Sequence, residues 1–191
     1  MKRFGKGLAL ILALLICSGG LCAGAEEAFD FLTADQGWMY LGYTPGGVTF
    51  AVPSDYESFG VSMFDRMSGV LIVGGSADFT LQLRQFSPET MTYADFAAMI
   101  QAEPTARWGT RMDGEGEIIW YRNTAPTARS ELFGITLTGL DGNLYKISIF
   151  TGDSEDFSPD APVWALAETI AGTVRHQDFA DWGITGDPAS D

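Results

Sequence analysis

The segments "GVLIVGG" (residues 69–75) and "EIIWY" (117–121) are apolar on both alternating faces. Val70 and Ile72 oppose Leu71 and Val73, and Ile118 and Trp120 oppose Ile119 and Tyr121. Because successive strand side chains point to opposite sides of a sheet, such strands must be covered above and below. Two amphipathic helices can supply the cover. In "MTYADFAAMIQ", Tyr93, Phe96, Ala97 and Ile100 follow helical spacing, Thr92 caps with Asp95 three residues on, Met91 staples to Phe96, and Pro104 lies beyond the end. In "DAPVWALAETIAGTV", Asp160 is the expected cap, Pro162 sits in the first turn, and Val163, Ala167, Ile170 and Val174 form the apolar stripe.

Two hairpins can be tested by parity, since residues facing one another across an antiparallel ladder share a side of the sheet. In "WMYLGYTPGGVTFAV", a turn centred on Pro45 and Gly46 pairs Tyr43 with Val48, Leu41 with Phe50 and Met39 with Val52, giving one wholly apolar face. Proline before glycine suits a type II turn. In "FGITLTGLDGNLYKISIF", a two-residue turn at Asp141 and Gly142 would set Leu137 opposite Lys146. A loop of Asp141, Gly142 and Asn143 separates the faces instead, pairing Leu137 with Ile147 and Ile135 with Ile149, while Thr138 meets Lys146 and Thr136 meets Ser148 on the outer side. Asn143 would then hold the left-handed position. No internal repeat or low-complexity run divides the chain; "PGG", "GGSA" and "DGEGE" read as hairpin turns.

The N-terminus has the layout of a secretory signal: Lys2, Arg3 and Lys6, then an apolar run from Leu8 to Ile16 too short to span a bilayer, then "AGA" before Glu26. Cleavage is expected after Ala25. Ile16 and Leu21 stand directly before Cys17 and Cys22, which makes neither a good lipid-attachment site, so a lipoprotein is the less favoured alternative. Residues 1–25 are thus expected to be a signal peptide and 26–191 one domain with a short acidic tail, without disulfides. Losing three of the eleven basic residues leaves eight against 25 acidic ones, a net charge of −17. Nucleic acid and anionic membrane surfaces are poor partners for such a chain, and no membrane span remains after cleavage.

An antiparallel sheet covered on both faces, with one helix inserted mid-chain and one near the end, is an α+β, three-layer α/β/α sandwich. The order of elements, "VTFAVPSDY", the helix "TYADFAAMI" after the strand "FTLQLRQF", and the close "GNLYKISIFTGDSEDFSPDAPVWALAETIAGTV" resemble the PsbP-type sandwich over roughly residues 38 to 175. That family includes extrinsic photosystem subunits, nuclear Ran-binding relatives and exported bacterial proteins. The resemblance implies a binding or accessory module and transfers no site residues.

The chemistry legible in the chain is sparse. His176 is the one histidine, which excludes mechanisms that need a histidine pair, and it reads as a polar residue near a helix C-terminus. Neither S-x-x-K nor G-x-S-x-G is present. Two acidic runs, Asp113, Glu115 and Glu117, and Asp153, Glu155, Asp156 and Asp160, lack the EF-hand spacing and read as solvated turns; no metal or cofactor is expected. The basic residues cluster: Arg107, Arg111, Arg122 and Arg129 are four of the eight. If Asp113 faces Glu117, then Trp108, Thr110 and Met112 join Ile118 and Trp120, leaving Arg107 and Arg111 beside Tyr121. An aromatic ring between two guanidinium groups can receive a carboxylate or a sugar, so these three are the candidate ligand residues. The competing role is structural: arginines neutralise neighbouring carboxylates and cover apolar surface with their stems.

The expectation is therefore a secreted, non-catalytic binding or accessory module, monomeric, whose partner is a protein or a component of the cell envelope. The alternatives are an extracytoplasmic hydrolase using carboxylates and a calcium-loaded adhesion domain. A cleft with two facing carboxyl groups, one of them buried, would favour the hydrolase; one apolar surface patch would favour the binder.

Overall fold

A computed structural model describes residues 37–127, 130–151, 158 and 161–177. The expected signal segment with Cys17 and Cys22, the acidic residues Asp153, Glu155, Asp156 and Asp160, and Arg129 lie outside those residues. Among the described residues, ten strands and three α-helices follow in chain order: β1 (Trp38–Tyr43), β2 (Val48–Pro53), β3 (Glu57–Ser58), α1 (Met63–Met67), β4 (Val70–Gly75), β5 (Phe79–Phe86), α2 (Tyr93–Ala102), β6 (Ala106–Met112), β7 (Glu117–Asn123), β8 (Glu131–Thr138), β9 (Leu144–Thr151), α3 (Pro162–Thr173) and β10 (Arg175–His176). A seven-stranded sheet has the order β3-β4-β5-β9-β8-β7-β6, and a three-stranded sheet the order β1-β2-β10. All pairings are antiparallel. The architecture is the expected α+β sandwich. The large sheet is its middle layer, with α2 on one face and α3 plus the small sheet on the other.

The two faces of β7 show why the cover is needed. Ile118 belongs to the core shared with α3, through Ala167 and Ile170, and with β2, through Val48, Phe50 and Val52. Its neighbour Ile119 packs instead with Phe96 and Ile100 of α2, Tyr121 and Leu144. Both isoleucines are fully buried. β4 reaches this state only in part: Val70 is buried, but Leu71, Ile72 and Val73 are half-exposed, because its outer neighbour β3 is two residues long. The α2 capping box forms as expected between Thr92 and Asp95, and Met91 packs on the same cluster. At α3 the N-cap residue is Ala161, with Pro162 next and no side-chain cap; Asp160 lies outside the described residues.

The β1–β2 register is the expected one, Tyr43 to Val48 and Leu41 to Phe50. The connection differs: Thr44–Gly46 forms a 3-10 turn, and the positive φ of 59° falls on Gly47 rather than Gly46. The β8–β9 hairpin keeps the expected parity but is centred one residue earlier. Leu137 faces Tyr145 and Ile135 faces Ile147. The Gly139 N–H donates to the Asn143 carbonyl at 2.8 Å, so the loop is Leu140, Asp141 and Gly142. Gly142 takes the positive φ, 81°, because glycine reaches the left-handed region with less strain than asparagine. A shift of this kind leaves every side chain on its expected face.

Thr136 departs from the expectation of a solvent-facing residue. It points to the side covered by α2, is fully buried, and its hydroxyl has no hydrogen-bond partner. Replacing a buried unpaired hydroxyl by a methyl of the same shape is neutral or stabilising, so Thr136→Val should hold or raise stability by about 1 kcal/mol. Ile147→Ala, in the opposite core, should lose about 2 to 5 kcal/mol. Urea melts of both variants check this; a loss at Thr136→Val comparable to that at Ile147→Ala would contradict the burial of the threonine.

Candidate functional site

Arg107, Arg111 and Tyr121 are not brought together. Met112 faces Glu117 and Arg111 faces Ile118, one residue away from the expected ladder. The Asp113 N–H donates to the Gly116 carbonyl at 3.2 Å, which makes Gly114 and Glu115 a two-residue turn with Gly114 at φ 93°. Glycine at the first central position is what a type II′ hairpin turn requires. Since strand side chains alternate, this one-residue difference puts Arg107 and Arg111 on the α3 side with Ile118 and Trp120, and Tyr121 on the α2 side with Trp108.

Each member of the expected triad has its own setting. Arg111 Nη2 donates to the carbonyls of Ala171, at 3.3 Å, and Val174, where the backbone of α3 ends. A guanidinium there adds donors at the C-terminal carbonyls and meets the negative end of the helix dipole. Arg107 is exposed, opposite Arg122. Arg122 lies 4.0 Å from the Trp164 ring centroid and 3.2 Å from Glu168. Tyr121 donates its hydroxyl to Glu131 Oε2, the oxygen that Lys146 Nζ also meets at 2.9 Å. Burial first, then the Glu131 charge and hydrogen bond, raise the Tyr121 phenol well above its ordinary value, so it stays neutral. Its ring lies where a side chain on Gly134 would stand. Tyr121 thus belongs to a polar network beneath α2 built on Glu131 Oε2, while Glu131 Oε1 is buried without a hydrogen-bond partner.

His176, read from sequence as a residue near a helix end, is instead the centre of a buried polar node. Its Nδ1 is 2.7 Å from both carboxylate oxygens of Asp113, its Nε2 is 2.7 Å from the Thr138 carbonyl, and its backbone N–H donates to Asp113 Oδ2 at 2.7 Å. Carboxylate and carbonyl are both acceptors, so both ring nitrogens must carry protons: the arrangement selects the imidazolium. Burial alone would lower the His176 pKa, but the hydrogen bonds to Asp113 and Thr138 and the charges of Asp113 and Glu115 outweigh it and raise the value. Burial likewise opposes ionisation of Asp113, and the hydrogen bonds from the His176 ring and backbone, its charge, and the Gly116 N–H bring it down on balance. Asp113 is therefore committed inward. Among the described residues no group of three or more acidic, histidine or cysteine side chains is placed to hold a metal ion.

Beside this node lies a cleft of about 420 Å³ between the start of α2 and the β6–β7 and β8–β9 turns. Tyr93, Glu115, Glu117, Leu140 and the His176 ring form its walls. Glu115 and Glu117 are exposed. The sequence reads Asp113, Glu115 and Glu117 as one solvated turn and Tyr93 as part of the α2 stripe; the two glutamates are solvated, but Asp113 is turned inward to His176, a contact that spans 63 residues. A different surface feature is apolar. In α1, Met63, Phe64 and Met67 are 76%, 84% and 77% exposed, and Phe59 just before it is 47% exposed.

No protein-family model matches the chain, and no curated protein matches it. Among solved structures it is similar to the cyanobacterial PsbP protein CyanoP from Synechocystis sp. PCC 6803. The TM-score is 0.51 at 16% identity, over 73% of this chain and 92% of that one. The fold is PsbP-like. A second match, to a protein from Bacteroides thetaiotaomicron, has a TM-score of 0.41 at 10% identity and covers 72% of this chain and 48% of that one.

The signs of the two pKa shifts fix how the node acts on stability. The raised His176 value contributes stability fully present below its unfolded pKa of about 6.5 and lost as pH rises through the higher folded value. The lowered Asp113 value contributes stability present above about 3.9 and lost as pH falls through the folded one. Urea melts across pH should show both limbs in the native chain. Asp113→Asn should lose about 3 to 5 kcal/mol at neutral pH, as for a broken buried pair, and flatten both limbs; an unaltered profile would mean that the pair is not formed.

Proposed function

We propose that the chain is an exported, non-catalytic binding or accessory module that docks on a protein of the cell envelope through the apolar knuckle of Phe59, Met63, Phe64 and Met67. The observation that carries this reading is that α1 has no buried residues, yet presents three large apolar side chains to solvent. Contiguous apolar surface of this kind marks interaction sites, and methionine with phenylalanine makes an adaptable contact. The helix is preformed by local bonds: Ser62 Oγ accepts the Asp65 N–H at 3.2 Å and donates to Asp65 Oδ2 at 2.5 Å. A preordered knuckle loses less entropy on docking. Charge narrows the partner to an apolar groove rimmed by basic residues, because the whole chain carries −14. The hydrolase reading has less support: in the cleft Glu115 and Glu117 are both exposed, and the buried carboxylate, Asp113, is neutralised by His176.

The double variant Phe64→Glu, Met67→Glu should keep its melting behaviour, since both side chains are exposed, and lose about tenfold or more of its capture of envelope protein by cross-linking. Equal capture by native and variant protein would remove α1 as the docking surface. Export is checked separately: sequencing of the mature protein should begin at Glu26, and a lipid-modified Cys17 or Cys22 would replace the soluble form by an anchored one.

A further inference from the structure

The cleft beside His176 is a second place where a partner can be held, on the other half of the sheet from α1, which contacts β4. Its chemistry follows from which lining groups are already used. The Glu115 and Gly116 N–H groups donate to Asp113 Oδ1, at 3.3 and 3.2 Å. The Gly139 N–H donates to the Asn143 carbonyl and the Leu140 N–H to the Gly46 carbonyl, at 2.8 and 2.9 Å. Both His176 ring nitrogens are engaged. These donors are therefore not offered to a ligand. The groups left to face a ligand are acceptors or an aromatic face: the Glu115 and Glu117 carboxylates, and the ring of Tyr93, whose hydroxyl is turned to Glu117 and kept protonated first by burial and then by that carboxylate.

The electrostatics have the same sign. The Asp113 charge offsets that of His176, with Nδ1 and Oδ2 2.7 Å apart, leaving the two glutamates as the net charge of the cleft. The positive end of the α2 dipole would favour an anion, but Asp95 of the capping box already occupies that end: its Oδ2 accepts from the Thr92 N–H at 3.3 Å and from the Thr92 hydroxyl at 2.6 Å. Two carboxylates, an aromatic ring and an apolar wall from Leu140, half-exposed, are the complement of a cation carried on an aliphatic stem. We infer that the cleft between Tyr93, Glu115, Glu117 and Leu140 binds a lysine or arginine side chain of a protein partner, the charged head between the glutamates and the stem against Leu140.

The probes are N-acetyl-lysine methylamide and N-acetyl-arginine methylamide, with the norleucine analogue as the neutral isostere, followed by amide NMR shifts of Gly116, Gly139 and Leu140. The cationic probes should give saturable shifts centred on these residues. Glu115→Gln with Glu117→Gln should weaken them by about tenfold or more, as expected on losing charge-assisted bonds. Tyr93→Phe, which keeps the ring, should weaken them less. Absence of saturation, equal binding of norleucine, an unchanged affinity in the double variant, or displacement of the probes by calcium at matched ionic strength would each overturn the assignment. The Phe64→Glu, Met67→Glu protein should bind the probes normally, so failure of the α1 docking surface and failure of the cleft are read separately.

Discussion

His176 stands among oxygens that belong to different parts of the fold. It lies in the small sheet, Asp113 closes the β6–β7 turn, and Thr138 ends β8, so one imidazolium joins the small sheet to the large one. β10 has only two residues paired with β2, Arg175 with Thr49 and His176 with Val48. A ladder that short cannot hold a segment in place by itself, whereas a buried charged pair with its remaining proton also bonded can fix one alignment. Apolar burial between β2, α3 and the large sheet supplies most of the driving force, but that force is not directional. The polar node determines where the end of α3 sits. Arg111 acts on the same segment from the same hairpin: the cation takes the helix carbonyls of Ala171 and Val174, and the anion two residues on takes the histidine.

The internal use of cations shapes the surface. Arg111 closes α3, Arg122 lies over Trp164 beside Glu168, and Lys146 holds Glu131 beneath α2, 5.7 Å from the Phe96 ring centroid and 5.5 Å from that of Tyr121. Aromatic faces and carboxylates inside the fold thus absorb positive charge in a chain with 25 acidic residues. The excess of acid is left for the exterior. A partner meeting that surface gains by being basic whether it approaches α1 or the cleft, and long-range attraction speeds encounter before any specific contact forms.

Much of the fold was legible because alternation and capping are local. The β1–β2 register, the faces of β8 and β9, the α2 capping box and the α3 stripe all depend on residues close in sequence. The β6–β7 hairpin was misjudged by one residue, which inverted it and assembled a ligand triad that the fold keeps apart. Gly114, in the position where a type II′ turn needs positive φ, was the signal that would have set it right. Thr136 was placed in solvent since alternation says which residues share a face and not which faces are covered; the α2 layer decides that. The His176 node was out of reach for another reason. Its partners lie 63 and 38 residues away, and no local pattern of either segment encodes the meeting.

Resemblance to CyanoP at 16% identity is what this division of labour leads one to expect. Alternating apolar strands and two covering helices can be kept while most side chains change, because burial asks only for apolar character of about the right size. The cleft has the opposite dependence. Its walls come from the β6–β7 turn, the β8–β9 turn, the first residue of α2 and the end of β10. Gly114 and Gly142 fix those two turns, and through them both the faces of four strands and the positions of Glu115, Glu117 and Leu140. A one-residue insertion in the β6–β7 turn would send Arg111 to the side of Tyr121 and take Asp113 away from His176, removing the helix cap and the node together. The surface chemistry of this end of the sheet is therefore tied to its register: the turn that aligns the strands also presents the carboxylates.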